Sequence, residues 1–573
     1  MSATTCPCVQ PAIPVTKEWI LQKIQCYQRA LQDLTYQLNS FSTIARLPDE
    51  LLCKIFTLYA ADNGIKAASI RQAHYQPMQS NDILVYGFIR ITHVCRYWRD
   101  VAMKFTPLWT RISVDIFGER GIRHDAWMAE LLRRSGTAPL TVKFSVTSKR
   151  SKMVDNILKS EYHRIQDLSI HLIAPIPNAS TIFQGVSLLD TLDIEISHFT
   201  RKLFPLNVHH LPLPSGSFPQ LKTLKTKGMT LKEADYFLQP TLCSFTYLHR
   251  PDHYDQGHFH VDFRIAKLRQ YLEALRKIPI VEYLCIDTNM LSTSTESQAN
   301  RRVSLPSLKV LSITENIQTA VCLLNALGTV RLRVLDLTIS SRDRPQNPDQ
   351  IIPTAIQLGN SISTTFGRGN LDTERRGTLK YIRIALGYSG EIDLRASDNL
   401  QSLRKTASLD YSNLHVRMDS LGIDYMLELC KTVNFDAIQV IAVTTFGAQM
   451  IYHSALASQQ SQVWTWLGVL ASITSRRLGT LVLLFASESY IAAILKMIMD
   501  HIQGFKINTL VLTKTDLSVV QRGGSIETQL KARVEAGVPI EKLIIATRGR
   551  HELVDWFGPY VTEQSSVDWF GGF

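Results

Sequence analysis

Four histidines and two aspartates fall within twelve residues, His249-Arg-Pro-Asp252-His253-Tyr-Asp255-Gln-Gly-His258-Phe-His260. Imidazole nitrogens and carboxylates at this density are the ligand types of a divalent-metal site, and His258 and His260 would share one face of a strand. Their spacing matches no zinc motif, and Pro251 and Gly257 read as loop residues. The segment is read as a solvated polar loop, with His253, His258 and His260 as candidate ligands should it hold a metal. Elsewhere the sequence has no Gly-x-x-x-x-Gly-Lys-Ser/Thr loop, no Gly-x-Gly-x-x-Gly, no Gly-x-Ser-x-Gly and no His-Glu-x-x-His. No catalytic residue, no cofactor and no enzymatic activity are expected.

Composition narrows the classes further. The chain has 573 residues, 45% of them hydrophobic and 20% charged, which is a globular balance. Its net charge is +12, but residues 1–116 hold 12 Lys+Arg against 8 Asp+Glu, so the excess is spread along the chain. A diffuse excess without a basic arm does not favour nucleic acid as a partner. No run approaches the roughly 18 apolar residues of a membrane span. Nine scattered cysteines and no C-x-x-C pair fit reduced thiols, and the N-terminal residues lack the apolar stretch of a signal peptide. A cytoplasmic or nuclear location is expected.

The elements that would position any site begin after residues 1–15, read as disordered. Thr16 is a helix N-cap candidate. After it Ile20, Ile24, Tyr27, Leu31, Leu34, Leu38 and Phe41 alternate spacings of four and three, three heptads of a/d positions. Such a stripe either packs along its own chain or forms a coiled-coil seam, with self-association through residues 20–41. Both readings stand. Pro48 then opens a helix over Asp49–Tyr59, with Asp49 and Glu50 facing the positive end of its dipole. Residues 60–82 are polar and turn-rich and read as an insertion. A further helix is expected from about Ile83 to Phe105.

From about residue 165 the pattern changes to short strands with a Leu-x-x-Leu-x-Leu or Leu-x-x-Leu-x-Ile core. Copies include Leu189–Ile194, Leu305–Ile313, Leu332–Leu337, Leu478–Leu483, Ile507–Leu512 and Ile540–Ile545, with helix-like segments between them. Strand, helix, strand at twenty to forty residues per unit is the organisation of a leucine-rich-repeat solenoid, whose stacked units share one core. An open α/β sheet is the alternative.

Two segments at the N-terminal end carry a resemblance. Leu47-Pro48-Asp49-Glu50-Leu51-Leu52-x-x-Ile55-Phe56 and Val94-Cys95-Arg96-Tyr97-Trp98-Arg99-Asp100-Val101-Ala102 are followed by Thr106-Pro107-Leu108-Trp109 and by Arg134-Ser135-Gly136-x-x-Pro139-Leu140. In this order they resemble the F-box, and in particular the F-box-like proteins expanded in mushroom-forming basidiomycete fungi. The resemblance covers about residues 44–144. It implies a helical module that docks on a Skp-type adaptor and so joins a cullin ubiquitin ligase. By match, Leu47, Pro48, Leu51, Ile55, Val94, Trp98 and Val101 would supply the apolar docking face, with Trp109 bracing the exit. Phe56, Val101 and Trp109 are equally candidates for the module's own core.

The expected architecture is α/β. A heptad-patterned helix over 16–43 and a small all-α F-box-like module over 44–112 precede a connecting helix and strand over 113–160. An irregular leucine-rich-repeat-like solenoid occupies 161–573. The expected function is a substrate receptor of a Skp–cullin–F-box ligase, bringing an unknown protein substrate. A repeat scaffold acting without a cullin is the alternative.

Overall fold

The structure is a computed structural model. It describes residues 16–41, 44, 47–60, 87–114, 122–146, 159–172, 183, 185–196, 218–248, 268–288, 302–329, 332–339, 351–368, 381–386, 392–397, 414–418, 429, 432–433, 440–445, 479–484, 491–492, 494–496, 498, 507–513, 524–546 and 557–566. The chain forms two compact units: Met1–Ile170 with Gly185–Leu188, and His171–Gln184 with Leu189–Phe573.

The first unit starts with helix α1 (Lys17–Ser40). Thr16 caps it as expected, its hydroxyl accepting from the Trp19 amide at 3.2 Å. The heptad stripe is exposed along its whole length, from Ile20 at 43% to Phe41 at 74%, so it does not pack against the described residues of its own chain. Helix α2 spans 49–60, and the carbonyl of Pro48 accepts from the Leu51 and Leu52 amides. A 3-10 segment (Gly87–His93), helix α3 (Arg96–Lys104) and a 3-10 turn (Thr106–Trp109) follow. The single helix expected over 83–105 is therefore broken. At the break Cys95 is extended, φ −158° and ψ 171°, and its Sγ accepts from the Trp98 amide at 3.4 Å as an N-cap. The insertion expected at 60–82 lies, beyond Ala60, outside the described residues.

Strand β1 (Arg111–Val114), helix α4 (Ile122–Ser135), strand β2 (Leu140–Val146) and, up to Ile170, strand β3 (Ile165–Leu172) belong to this unit. β1 runs parallel to β2, Arg111 opposite Thr141 and Val114 opposite Phe144. Gly136, at φ +54°, ends α4 as a C-cap, in a conformation that side chains with a Cβ rarely adopt. Arg164, 5% exposed, then ties this corner together. Its Nε donates to Glu161 at 2.5 Å, and its Nη1 to Ser135 Oγ at 3.0 Å and to the Ala138 carbonyl at 2.8 Å.

The second unit is a sheet with helices between its strands. Its elements are β4 (Thr191–Ile196), β5 (Thr223–Lys227), α5 (Leu231–Ala234), β6 (Ser244–Leu248), α6 (Leu268–Leu275) and β7 (Tyr283–Asp287). Next come β8 (Val303–Leu305), β9 (Val310–Glu315), α7 (Ile317–Ala326), β10 (Leu327–Thr329), β11 (Val334–Ile339) and α8 (Ile351–Arg368). Strands β12 (Tyr381–Leu386), β13 (Ile392–Ser397), β14 (Leu414–Met418), β15 (Val440–Thr445), β16 (Thr480–Leu484) and β17 (Thr509–Thr513) follow. Helix α9 (Ser525–Glu535), β18 (Ile540–Ala546) and β19 (Val561–Ser566) close the unit.

β4, β5, β6, β7, β9 and β11 lie side by side in chain order, all parallel, and β15 to β19 do the same. Between the two runs the order reverses. β14 lies beside β11, and β13 pairs antiparallel with both β14 and β12. The leucine pattern explains the core. Leu192, Leu224, Phe245, Leu284, Leu311 and Leu335 stand at one register position of six successive strands, each 0% exposed. On the opposite face Asp193 meets Lys225 at 3.4 Å and Glu195 meets Lys227 at 2.5 Å. Short helices form where local signals are strong: α5 opens with a capping box between Thr230 and Glu233. Gly228, at φ +75°, has no room for a Cβ, which would lie 2.4 Å from the Ile196 carbonyl oxygen. Parallel strands alternating with helices, behind a small helical module, make the chain α/β as expected.

Candidate functional site

Helix α2 is apolar on two faces, and the structure separates them. Leu52 and Phe56, one turn apart, are 0% exposed and point into a core of Phe88, Ile91, Val101, Ala102, Leu108, Trp109 and Leu131. Leu51, Ile55 and Leu58 follow the four-three spacing that aligns side chains along a helix, and they are 48%, 40% and 63% exposed. One face builds the module. The other is presented to solvent.

The core fixes the orientation of that outer stripe. Phe56 meets Trp98 of α3 with ring centroids 5.3 Å apart, and Phe88 stands edge-on to Trp109 at 5.8 Å. Trp109 Nε1 donates to the Ala102 carbonyl at 2.8 Å, so the buried indole is satisfied by the end of α3. Arg134 of α4 lies over the same ring, 4.5 Å from its centroid. Glu130 holds that guanidinium at 2.7 Å and Arg133 at 2.6 Å, which lowers the carboxyl from 4.5 to about 2. The start of α2 is pinned to α3 as well, since the Tyr97 hydroxyl reaches the Leu47 carbonyl and the Asp49 carboxylate.

The eight residues expected at a docking face divide three ways. Pro48, Leu51, Ile55 and Val94 are exposed, Val94 at 55%. Leu47 and Trp98 are half-buried and pack against the core. Val101 and Trp109, at 5% and 0% exposure, belong to the core itself and are corrected from the docking set. The physical reason is size: a module of a few short helices needs its large side chains inside. Leu58 was not foreseen, although its spacing from Leu51 and Ile55 was the signal that could have found it.

Burial, with Asp49 and Glu50 nearby, raises the pKa of Cys53 and disfavours the thiolate that a nucleophile needs. His253, His258 and His260 lie outside the described residues. Among the described residues no group of three or more His, Cys, Asp or Glu is placed to hold a metal, and no helix is long and apolar enough to cross a membrane. None of the described cysteines is joined in a disulfide.

A family model described as F-box-like matches residues 44–115. The match ends one residue beyond β1, so this strand, held by β2, is part of the module. A search of curated proteins found none that matches the chain. Match, motif order and a helical core with one apolar stripe left outside agree: residues 44–115 are an F-box-like domain.

Proposed function

We propose that the chain is a substrate receptor of a Skp–cullin–F-box ubiquitin ligase, with the F-box-like domain docked on a Skp-type adaptor. The observation that carries the reading is the pair of faces on α2. Leu52 and Phe56 are fully buried while Leu51, Ile55 and Leu58 remain exposed on a helix held in place by Tyr97 and Trp98. An exposed apolar stripe on a rigid support is what a water-excluding interface requires at its centre.

The rest of the chain would bring the substrate. Parallel strands stacked in chain order, contributing leucines and, in β6, Phe245 to one ladder, support a leucine-rich-repeat-like solenoid. Such a subunit transfers nothing itself. It raises the effective concentration of a bound protein substrate beside the ubiquitin-conjugating enzyme. Cysteines without a disulfide among the described residues fit a reducing compartment, the cytoplasm or nucleus.

Co-purification of the full chain with a Skp-type adaptor and cullin tests the reading. Recovery of both supports it. Full-length protein that captures neither, under conditions where another F-box protein does, leaves a repeat scaffold acting without a cullin.

A further inference from the structure

The exposed stripe of α1 is a separate surface from the docking face of α2, and three observations say what covers it. The first is its exposure: every a and d residue from Ile20 to Phe41 is between 43% and 74% accessible. The second is the strictness of the repeat. On a straight α-helix a seven-residue pattern drifts by about 20° per heptad, so a strict four-three seam keeps contact only with a partner that supercoils around it. A globular face needs no such regularity; another heptad helix does.

The third observation is how α1 is attached. Asp33, 180° around the helix from Ile24 at 100° per residue, pairs with Arg96 at 3.4 Å. The face of α1 that carries Asp33 is thus turned to the F-box-like domain, and the a and d residues stay exposed. Lys23, the one charged residue flanking the seam, has its ammonium 5.5 Å from the ring centroid of Trp19, toward that same face. The other flanking positions are Leu21, Gln28, Ala30, Thr35 and Gln37, all uncharged.

We propose that α1 is a self-association helix, pairing with α1 of a second copy of this chain as a coiled coil. The flanks decide between a second copy and a different chain. Pairing with a different partner is ordinarily specified by complementary charges at these positions, and charges of one sign would repel an identical helix. Here Lys23 is the single flanking charge and lies toward Trp19, so an identical helix meets little repulsion. The area also suffices. Covering a seam side chain removes on the order of 60–120 Å², and Tyr27 and Phe41 as aromatics bury more. Allowing for the part already covered, the seam supplies roughly 400 Å² per helix, and the flanking stems bring it toward the roughly 600 Å² per partner of the smaller specific interfaces. The product is a receptor with two F-box-like domains and two substrate-binding regions.

The test is the mass of the full chain by sedimentation equilibrium, for wild type, Leu31→Asp/Leu34→Asp and Leu31→Ile. Wild type and Leu31→Ile are expected at twice the 64.8 kDa chain mass, with the aspartate pair at half their value. Because the seam is exposed in a single chain, melting temperature above the dissociation range and adaptor binding should be unchanged by the aspartates. Retained adaptor binding separates failure here from failure of the receptor reading. A wild type monomeric throughout the accessible concentration range overturns the proposal. So does an aspartate variant that remains dimeric, or a wild-type seam occupied by the adaptor in a one-to-one complex.

Discussion

The Tyr97 hydroxyl lies 2.7 Å from Asp49 Oδ1 and 2.9 Å from the carbonyl oxygen of Leu47, joining the first turn of α2 to α3 across 48 residues of chain. A phenol has one proton to donate, so the two acceptors share it. The pairing sets the angle at which Leu51 and Ile55 leave the module, because both follow Asp49 within two turns. It links a polar contact at the module's edge to the presentation of its apolar stripe.

Removing that hydroxyl should loosen the stripe without emptying the core. Tyr97→Phe is expected to lower the melting temperature modestly and to weaken adaptor binding several-fold at neutral pH. The Asp49 bond raises the Tyr97 pKa above its ordinary value of 10. The folded state therefore favours the protonated phenol, and its contribution is complete below pH 10 and lost as pH climbs through the raised value. Melting curves of the two proteins should stay separated at neutral pH and converge in strong alkali.

The module's two tryptophans should respond differently to phenylalanine. Trp109 Nε1 donates to the Ala102 carbonyl, which keeps the Phe105 amide at 3.3 Å as a second donor, so Trp109→Phe loses one hydrogen bond and leaves a void, a loss of about 2 kcal/mol. Among the described residues Trp98 Nε1 is buried with no hydrogen-bond partner. Trp98→Phe removes an unsatisfied donor along with some volume and should cost less than about 1 kcal/mol. Denaturant titrations of the two variants check the order.

Glu130 gives the first unit an acid limit. Hydrogen bonds from Arg133 and Arg134 lower its pKa from 4.5 to about 2 in the folded state. The stabilisation is present above the unfolded value and is lost as pH falls from 4.5 toward 2. Glu130→Gln is expected to flatten this part of the stability profile. It should also free Arg134 from its place over Trp109, visible as a change in tryptophan fluorescence.

Arg164 holds the corner between α4 and β3 from a nearly inaccessible position. Arg164→Leu would remove the guanidinium's bonds to Glu161, Ser135 and the Ala138 carbonyl, with an expected loss of about 3 kcal/mol. Limited proteolysis should then cut the first unit earlier than in wild type.

Much of the fold was legible because leucine has one function in these strands. Leu189, Leu192 and Ile194 all belong to a repeat core read from sequence, and all are buried. β6 escaped notice because Phe245 and Tyr247 occupy the leucine positions, and aromatic rings break a leucine pattern while filling the same layer. Helix α8 escaped because Ser361, Ser363, Thr364 and Thr365 are weak helix formers, and packing in the folded chain overrides that preference. At the candidate site, α2 shows why pattern alone could not sort core from surface. Leu51 and Ile55 are as apolar as Leu52 and Phe56, and both pairs have i, i+4 spacing, so only the position of α3 decides which pair turns inward. The same holds for Trp98, half-buried, and Val101, fully buried on the same helix.

The central claim is that the exposed stripe of α2 docks a Skp-type adaptor. It is tested most directly by titrating purified adaptor into the full chain, wild type against Leu51→Asp/Ile55→Asp, with melting temperature measured in parallel. Saturable one-to-one binding by wild type is expected, with at least a hundredfold loss in the variant and little change in melting, since both side chains are already exposed. No binding by wild type, or equal binding by both, would contradict it.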